Sequence, residues 1–287
     1  MVTSENILVT GATGLLGRRV VAALRKVAPS AHVIGLVRDS AKAQDLAAAG
    51  VELRMASYDD LPALRAALVG VDKLLLISSS ELGKRAAQHG NVIDAAKAAG
   101  VGFIAYTSLL NADRYGLALA EEHLATEVLL RESGIVHTLL RNGWYSENFT
   151  ISSAHDIQVG KYFGAAGDGR ISAASRQDFA EAAAIVIAGG HEGKVLELGG
   201  DTGITLADYA AQLSDIAGKL VAYVDLPEAA YRDALVGAGL LPPLAAMLAD
   251  TQAKAASGAL RDDSKTLSKL IGRPTTPIAE TIKAELG

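Results

Sequence analysis

Short apolar runs alternate with longer, alanine-rich stretches from Glu5 to about Gly200. The runs are Ile7-Leu8-Val9, Val33-Ile34-Gly35-Leu36-Val37, Val51-Glu52-Leu53, Lys73-Leu74-Leu75-Leu76-Ile77, Phe103-Ile104-Ala105-Tyr106, Thr138-Leu139-Leu140 and Val195-Leu196-Glu197-Leu198. Apolar segments this short, bounded by Gly, Asp or Ser, predict strands buried on both faces of a parallel sheet. Between them, helices are predicted over 17–27, 61–68, 91–99 and 119–132. Gly70, Gly100 and Gly134 stand where left-handed C-caps belong. Alternation of this kind, with short links, predicts an α/β doubly wound parallel sheet joined by right-handed crossovers.

After Arg141 the regularity weakens. The segment from Asn142 to Arg176 is rich in Gly, Ser, Asn and aromatic residues, and reads as irregular loops over a ligand cleft. Thr205 can cap a helix running to Gly218, Pro227 can open another near Glu228–Leu235, and Ser264 and Thr276 can begin two short final helices. These helices predict a smaller C-terminal lobe against the edge of the sheet.

Composition narrows the function classes. Of the 287 residues 50% are hydrophobic and 21% charged, an ordinary globular balance. No cysteine is present, which excludes disulfides, thiolate nucleophiles and cysteine zinc sites. A net charge of −5 argues against a nucleic-acid partner, since phosphate contacts need a basic surface. No apolar run approaches the roughly 18 residues of a membrane span, and no signal-peptide pattern precedes the first strand. The expectation is a cytoplasmic protein away from the membrane. The histidines show no metal-ligand spacing, so no metal is expected. A homodimer is compatible with the chain.

The strongest motif is Thr10-Gly11-Ala12-Thr13-Gly14-Leu15-Leu16-Gly17, between the first strand and the first helix. The first glycine permits a sharp turn, the second lets backbone N–H groups approach a pyrophosphate, and the third lets helix pack on strand. The helix N-terminus adds unpaired N–H groups and the positive end of a dipole. This is a dinucleotide-binding Rossmann turn, with the core over 1–141, a later strand near 194–199, and 142–287 mostly substrate lobe. At the end of the second strand, where an acidic residue would bind the adenosine ribose, stands Arg38. A guanidinium can clamp a 2′-phosphate, so NADP(H) is the expected cofactor. Asp39, the next residue, keeps NAD open, and Arg38 also reads as a solvated charge.

Gly-x-x-Gly-x-x-Gly within Thr-Gly-Ala-Thr-Gly resembles the atypical short-chain dehydrogenases, and the chain as a whole resembles their NmrA-like branch. The likeness to the quinone reductases and triphenylmethane reductases of that branch rests on several segments. They are Val37-Arg38-Asp39, Leu75-Leu76-Ile77-Ser78, Asn91 to Ala96, Ile104 to Ser108, His123 to Glu127, Lys269 to Arg273 and, above all, Leu139-Leu140-Arg141-Asn142-Gly143-Trp144-Tyr145-Ser146-Glu147-Asn148. The resemblance implies that Gly11, Ala12, Thr13, Gly14, Leu15, Leu16 and Gly17 cradle the pyrophosphate and Arg38 the 2′-phosphate. It further implies that Ile77, Ser78 and Ser79 pass the adenosine and ribose, and that Thr107, Ser108, Asn142, Gly143 and Trp144 lie around the nicotinamide and substrate. In many relatives a Gly-Asp pair contacts adenine; Ala56 and Ser57 stand there instead.

Short-chain dehydrogenases carry Tyr-x-x-x-Lys as their acid. The corresponding positions are Leu119 and His123. A ketone needs a proton as hydride arrives, and losing the acid costs roughly 10²–10⁴-fold. A quinone yields a delocalised hydroquinone anion and needs less help. The expectation is therefore an NADPH-dependent reductase of quinones or similar flat aromatic acceptors. His123 is its candidate proton-assisting residue, and Tyr145, with Trp144 and Phe149, a candidate to stack on the acceptor. His123 also reads as a locally bonded helix histidine, the aromatics as core, and Tyr106 as packing. The rivals are an NADP(H)-binding redox sensor and a nucleotide-sugar epimerase, which would need a tyrosine at position 119.

Overall fold

The structure, a computed structural model, describes residues 4–287. Seven strands form the main sheet: β1 (Asn6–Val9), β2 (His32–Val37), β3 (Glu52–Met55), β4 (Lys73–Leu76), β5 (Phe103–Leu109), β6 (Val136–Asn142) and β8 (Val195–Leu198). A smaller sheet pairs β7 (Lys161–Gly164) with β9 (Ala222–Asp225). The main order is β3-β2-β1-β4-β5-β6-β8, with order reversing beside β1. Pairing is parallel from β3 through β5, Val9 meeting both Gly35 and Leu75. All seven residues of β5 are buried, as expected of a central strand covered on both faces. The outermost β3 and β8 are only partly covered.

The helices are α1 (Leu15–Val27), α2 (Gln44–Ala48), α3 (Leu61–Ala67), α4 (Arg85–Ala99), α5 (Ala120–Ser133), α6 (Glu147–Thr150), α7 (Ser153–Val159), α8 (Arg176–Ala188), α9 (Leu206–Ala217), α10 (Glu228–Gly237), α11 (Pro242–Ala255), α12 (Thr266–Ile271) and α13 (Ile278–Leu286). Among the described residues no helix is long and apolar enough to cross a membrane.

The chain falls into two compact units. One contains residues up to Ser108, with Glu122–Arg141 and Phe179–Leu196; the other contains Leu109–Glu121, Asn142–Asp178 and Glu197–Gly287. In the first, Leu8, Ile34, Leu74, Leu76, Ile104 and Tyr106 join Val92, Ile93, Leu130 and Leu139 in one core. In the second, Phe149, Tyr162, Leu206, Tyr209, Leu213 and Ile282 form another.

Several expectations change. α4 starts at Arg85, six positions before the expected Asn91. Its first turn is held from a distance: the Glu122 carboxylate accepts the Arg85 N–H at 2.9 Å and the Gly83 N–H at 3.2 Å. The stretch from Asn142 to Arg176, expected as irregular loops, contains α6, α7 and β7. β7 pairs Tyr162 with Tyr223, a partner distant in sequence, which four-residue strands do not announce locally. α11, with Pro at its first turn, is an addition. Thr205 does cap α9, reciprocally with Asp208, and Gly218 ends it in the left-handed region. Thr276 does not cap α13, whose N-cap is Pro277. Its N–H and hydroxyl go instead to the Asp178 carboxylate, at 2.9 and 3.0 Å.

Candidate functional site

In the first unit the expected cofactor residues follow the C-terminal ends of parallel strands, where open α/β sheets bind ligands. Gly11, just past β1, has φ +58° and accepts the Gly14 N–H at 2.9 Å. A Cβ at Gly17 would stand 2.2 Å from the Gly11 carbonyl oxygen, so this glycine lets α1 press against the turn. Ala12 and Leu16 are buried beneath it, while Leu15 faces out. The Thr13 carbonyl accepts from Arg18 Nε at 3.2 Å. No side chain caps α1 at Gly14, and no acidic residue lies in its first turn. The first N–H groups of this helix are therefore offered to an anion, and the turn fits a pyrophosphate.

Arg38 is the first residue after β2 and its side chain is 77% exposed. Asp39 is committed elsewhere: its carboxylate accepts the Ala41 N–H at 2.9 Å and caps the 3₁₀ turn Ser40–Ala43. Beyond β3, Ser57 Oγ accepts the Asp59 N–H at 3.3 Å. The segment after β4 is tied at every step. The N–H groups of Ile77, Ser78 and Ser79 donate to Thr10 Oγ1, Thr107 Oγ1 and His89 Nε2 at 2.9, 2.8 and 2.9 Å. The carbonyls of Ile77 and Ser79 accept from Tyr58 Oη and Arg85 Nε.

His123 is buried beside this wall. Its Nδ1 lies 2.7 Å from the Tyr106 hydroxyl, between α5 and β5. A tyrosine thus meets the residue at the former lysine position, but from a strand rather than from position 119. Burial pushes the Tyr106 hydroxyl well up, which makes it a poor acid. His89 accepts the Ser79 N–H at Nε2, so its proton sits on Nδ1, which faces Thr126 Oγ1 at 2.9 Å. Burial first, then the charge of Arg85, holds His89 down to about 3 and His123 well below its ordinary 6.5. Both are neutral near pH 7, so His123 can accept or orient a hydrogen bond.

This neutrality has a stability consequence. The unfolded chain protonates these histidines below about pH 6.5, the fold does not, and the unfolded state then binds more protons. Their contribution is complete above the unfolded value and is lost as pH falls toward the folded one, at up to ~1.4 kcal/mol per pH unit for each. His89→Gln should flatten the fall in urea-unfolding free energy between about pH 6.5 and 4; an unaltered slope would count against the assignment.

A second buried group joins β5, α5 and β6. Glu127, with no exposed side-chain surface, receives Arg141 Nε and Nη2 at 2.9 and 2.8 Å and Ser108 Oγ at 2.6 Å. This bidentate pair fixes Arg141, the residue before Asn142.

The second unit holds Asn142, Gly143, Trp144 and Tyr145. A Cβ at Gly143 would lie 3.1 Å from the Leu198 carbonyl oxygen and 3.2 Å from that of Ser172, so a side chain would force both backbones to give by a few tenths of an ångström. Trp144 packs against the core of this unit, and Phe149 is part of that core. The Arg176 guanidinium stands over the Tyr145 ring, 4.9 Å from its centroid, and is itself held by Glu147 at 3.7 Å and Asn148 Oδ1 at 2.9 Å. Burial raises the Tyr145 hydroxyl, and the neighbouring Asn142 amide opposes that rise. Asn142 is buried, yet neither Oδ1 nor Nδ2 has a partner at hydrogen-bonding geometry.

The NmrA-like family model matches residues 3–260. The chain belongs to the NmrA-like family. This NmrA-like chain is 57% identical to quinone oxidoreductase 2 of Escherichia coli (strain K12) over 277 residues, 96% of the chain and 97% of that protein. Its fold is similar to the crystal structure of the NADPH-dependent quinone oxidoreductase of Escherichia coli complexed with NADPH, with a TM-score of 0.95, 56% identity, and 98% and 100% of the two chains covered. It is also similar to the triphenylmethane reductase of Citrobacter sp. complexed with NADP(H), with a TM-score of 0.92, 37% identity, and 97% and 99% coverage. The doubly wound Rossmann-type sheet expected from the sequence is the fold of this NmrA-like chain. Sequence reasoning missed Tyr106 as the partner of His123, Arg176 as the partner of Tyr145, and the roles of Arg85 and His89. Each pairing depends on how separate elements pack on one another, and no local spacing signals it.

Proposed function

We propose that this chain is an NADPH-dependent oxidoreductase that reduces quinones or similar flat aromatic acceptors without a Tyr-Lys dyad. The observation that carries the reading is an intact phosphate turn with Arg38 at the ribose position, in a chain with Leu119 where the acid would stand. The likeness to the quinone and triphenylmethane reductases supports the same acceptor class. NADPH, when bound, supplies a hydride. The turn from Gly11 to Gly17 holds its pyrophosphate, Arg38 its 2′-phosphate, Ser57 its adenine, and Ile77, Ser78 and Ser79 its adenosine and ribose. Thr107, Asn142, Gly143 and Trp144 are assigned to the nicotinamide end. Tyr145, steadied by Arg176, positions the flat acceptor, and neutral His123 orients its oxygen or assists its proton. The hydroquinone anion spreads its charge over an aromatic ring, so a weak donor or solvent can protonate it. The reading includes residence in the cytoplasm and a small-molecule acceptor, with a homodimer as the assembly to test by light scattering.

The alternative is an NADP(H)-binding redox sensor. Steady NADPH consumption with an added naphthoquinone, over many turnovers per chain, separates the two. Binding without turnover would overturn the enzymatic reading. His123→Ala should lower kcat/KM by no more than ~10-fold, below the range for a true general acid. A loss of 10³-fold or more with NADPH still bound would make the histidine an essential acid.

A further inference from the structure

Glu81 stands between two cations at the ribose edge of the first unit. Its Oε1 is 3.5 Å from Arg38 Nη1 and its Oε2 is 3.3 Å from Lys84 Nζ. Arg38 follows β2, while Glu81 and Lys84 lie in the turn leading into α4. The Glu81 backbone is fixed: its N–H donates to Ser79 Oγ at 3.2 Å and its carbonyl accepts the Lys84 N–H at 3.2 Å. Ser79 is in turn held by His89 and Arg85. The cations are far freer, 77% and 64% exposed against 38% for Glu81. A carboxylate delivered by a tied backbone therefore draws two mobile cations together.

We propose that Glu81 is an internal stand-in for the 2′-phosphate that sets the preference between NADPH and NADH, and that Lys84 is the second cation of that subsite. This rests on the reading of Arg38 as the 2′-phosphate residue. A phosphomonoester carries about −1.5 to −2 charges at neutral pH and three acceptor oxygens, against one charge on the carboxylate. It takes over both cations, and Glu81 turns away but stays near as a like charge. Glu81 thus weakens NADPH twice, by competition before binding and by repulsion after it. NADH, lacking the phosphate, meets neither effect. Exposed pairs of this kind are individually weak, so the result is a graded bias.

Calorimetric titration of the whole protein with 2′,5′-ADP and 5′-AMP tests this. E81Q should bind 2′,5′-ADP about 3- to 10-fold more tightly, with 5′-AMP unchanged. K84A should bind 2′,5′-ADP about 3-fold more weakly, again with 5′-AMP unchanged. The E81Q gain should shrink as salt is raised. Equal or weaker 2′,5′-ADP binding in E81Q would overturn the proposal, since Glu81 would then be helping Arg38. An equal gain for 5′-AMP would overturn it as well. If the wild type and R38A bind the two probes alike, the 2′-phosphate reading itself falls. If the wild type prefers 2′,5′-ADP and E81Q leaves the ratio unaltered, only the role of Glu81 falls.

Discussion

Gly14→Val is expected to abolish NADPH binding in a protein that still folds, whereas Gly17→Ala damages the fold itself. A Cβ at Gly14 meets only the Gly11 carbonyl oxygen, at 3.2 Å. Its φ of −74° is open to any residue, so the chain tolerates the side chain with a small adjustment. The isopropyl group then stands at the uncapped start of α1, where the pyrophosphate must come within hydrogen-bonding reach of the backbone. At Gly17 the added carbon would lie 2.2 Å from one backbone atom, 2.8 Å from Ala12 Cα and 2.9 Å from the Gly11 carbonyl carbon. None of these is a flexible side-chain end, so α1 must shift off the Gly11–Ala12 turn. Overpacking of this kind costs about 1–3 kcal/mol, a fall in Tm of roughly 3–10 °C. Circular-dichroism melts and NADPH titration of both variants check the contrast. A folded Gly14→Val protein with wild-type NADPH affinity would place the cofactor elsewhere.

The second large effect is expected at Glu127. Removing its carboxylate takes the bidentate acceptor from the Arg141 guanidinium, only 6% exposed, and the acceptor at 2.6 Å from the Ser108 hydroxyl. Breaking one side of a buried pair costs about 3–5 kcal/mol, because the remaining buried charge loses its strongest compensation. Glu127→Ala should therefore lose that much in urea unfolding. Replacing both partners, Glu127→Leu with Arg141→Met, should cost less than Glu127→Ala, since the guanidinium is then not left buried without the carboxylate. A loss below about 1 kcal/mol in Glu127→Ala would show that the pair is solvated in solution.

What the sequence made legible divides along physical lines. The strands of the main sheet and the glycine turn were readable because their signals are local: short apolar runs, and three glycines between a strand and a helix. Arg38 was readable by its distance from that turn. Asp39 looked like a competitor until its carboxylate was seen capping its own turn. The start of α4 was hidden because Glu122, far along the chain, supplies the acceptors for its first N–H groups. β7 and β9 were hidden because each has four residues and its partner lies distant in sequence. Tyr106 read as packing in a strand, and it does pack in the core; its hydrogen bond to His123 depends on how α5 lies over β5. His123 itself was found through the family pattern, and its neutral state came only from burial beside Arg85.

The tied segment after β4 has a consequence for how tightly a nucleotide can be held. Three successive amides, Ile77 to Ser79, are already spoken for by a threonine of β1's end, a threonine of β5 and a histidine of α4. The surface assigned to the ribose is therefore cast when the protein folds, and an arriving nucleotide has no loop to freeze. The entropy that a mobile loop would subtract from affinity has been settled beforehand. Replacing Thr10 or His89 hands part of that entropy back to the binding step, so a side chain given no contact with the nucleotide can still govern how long it stays.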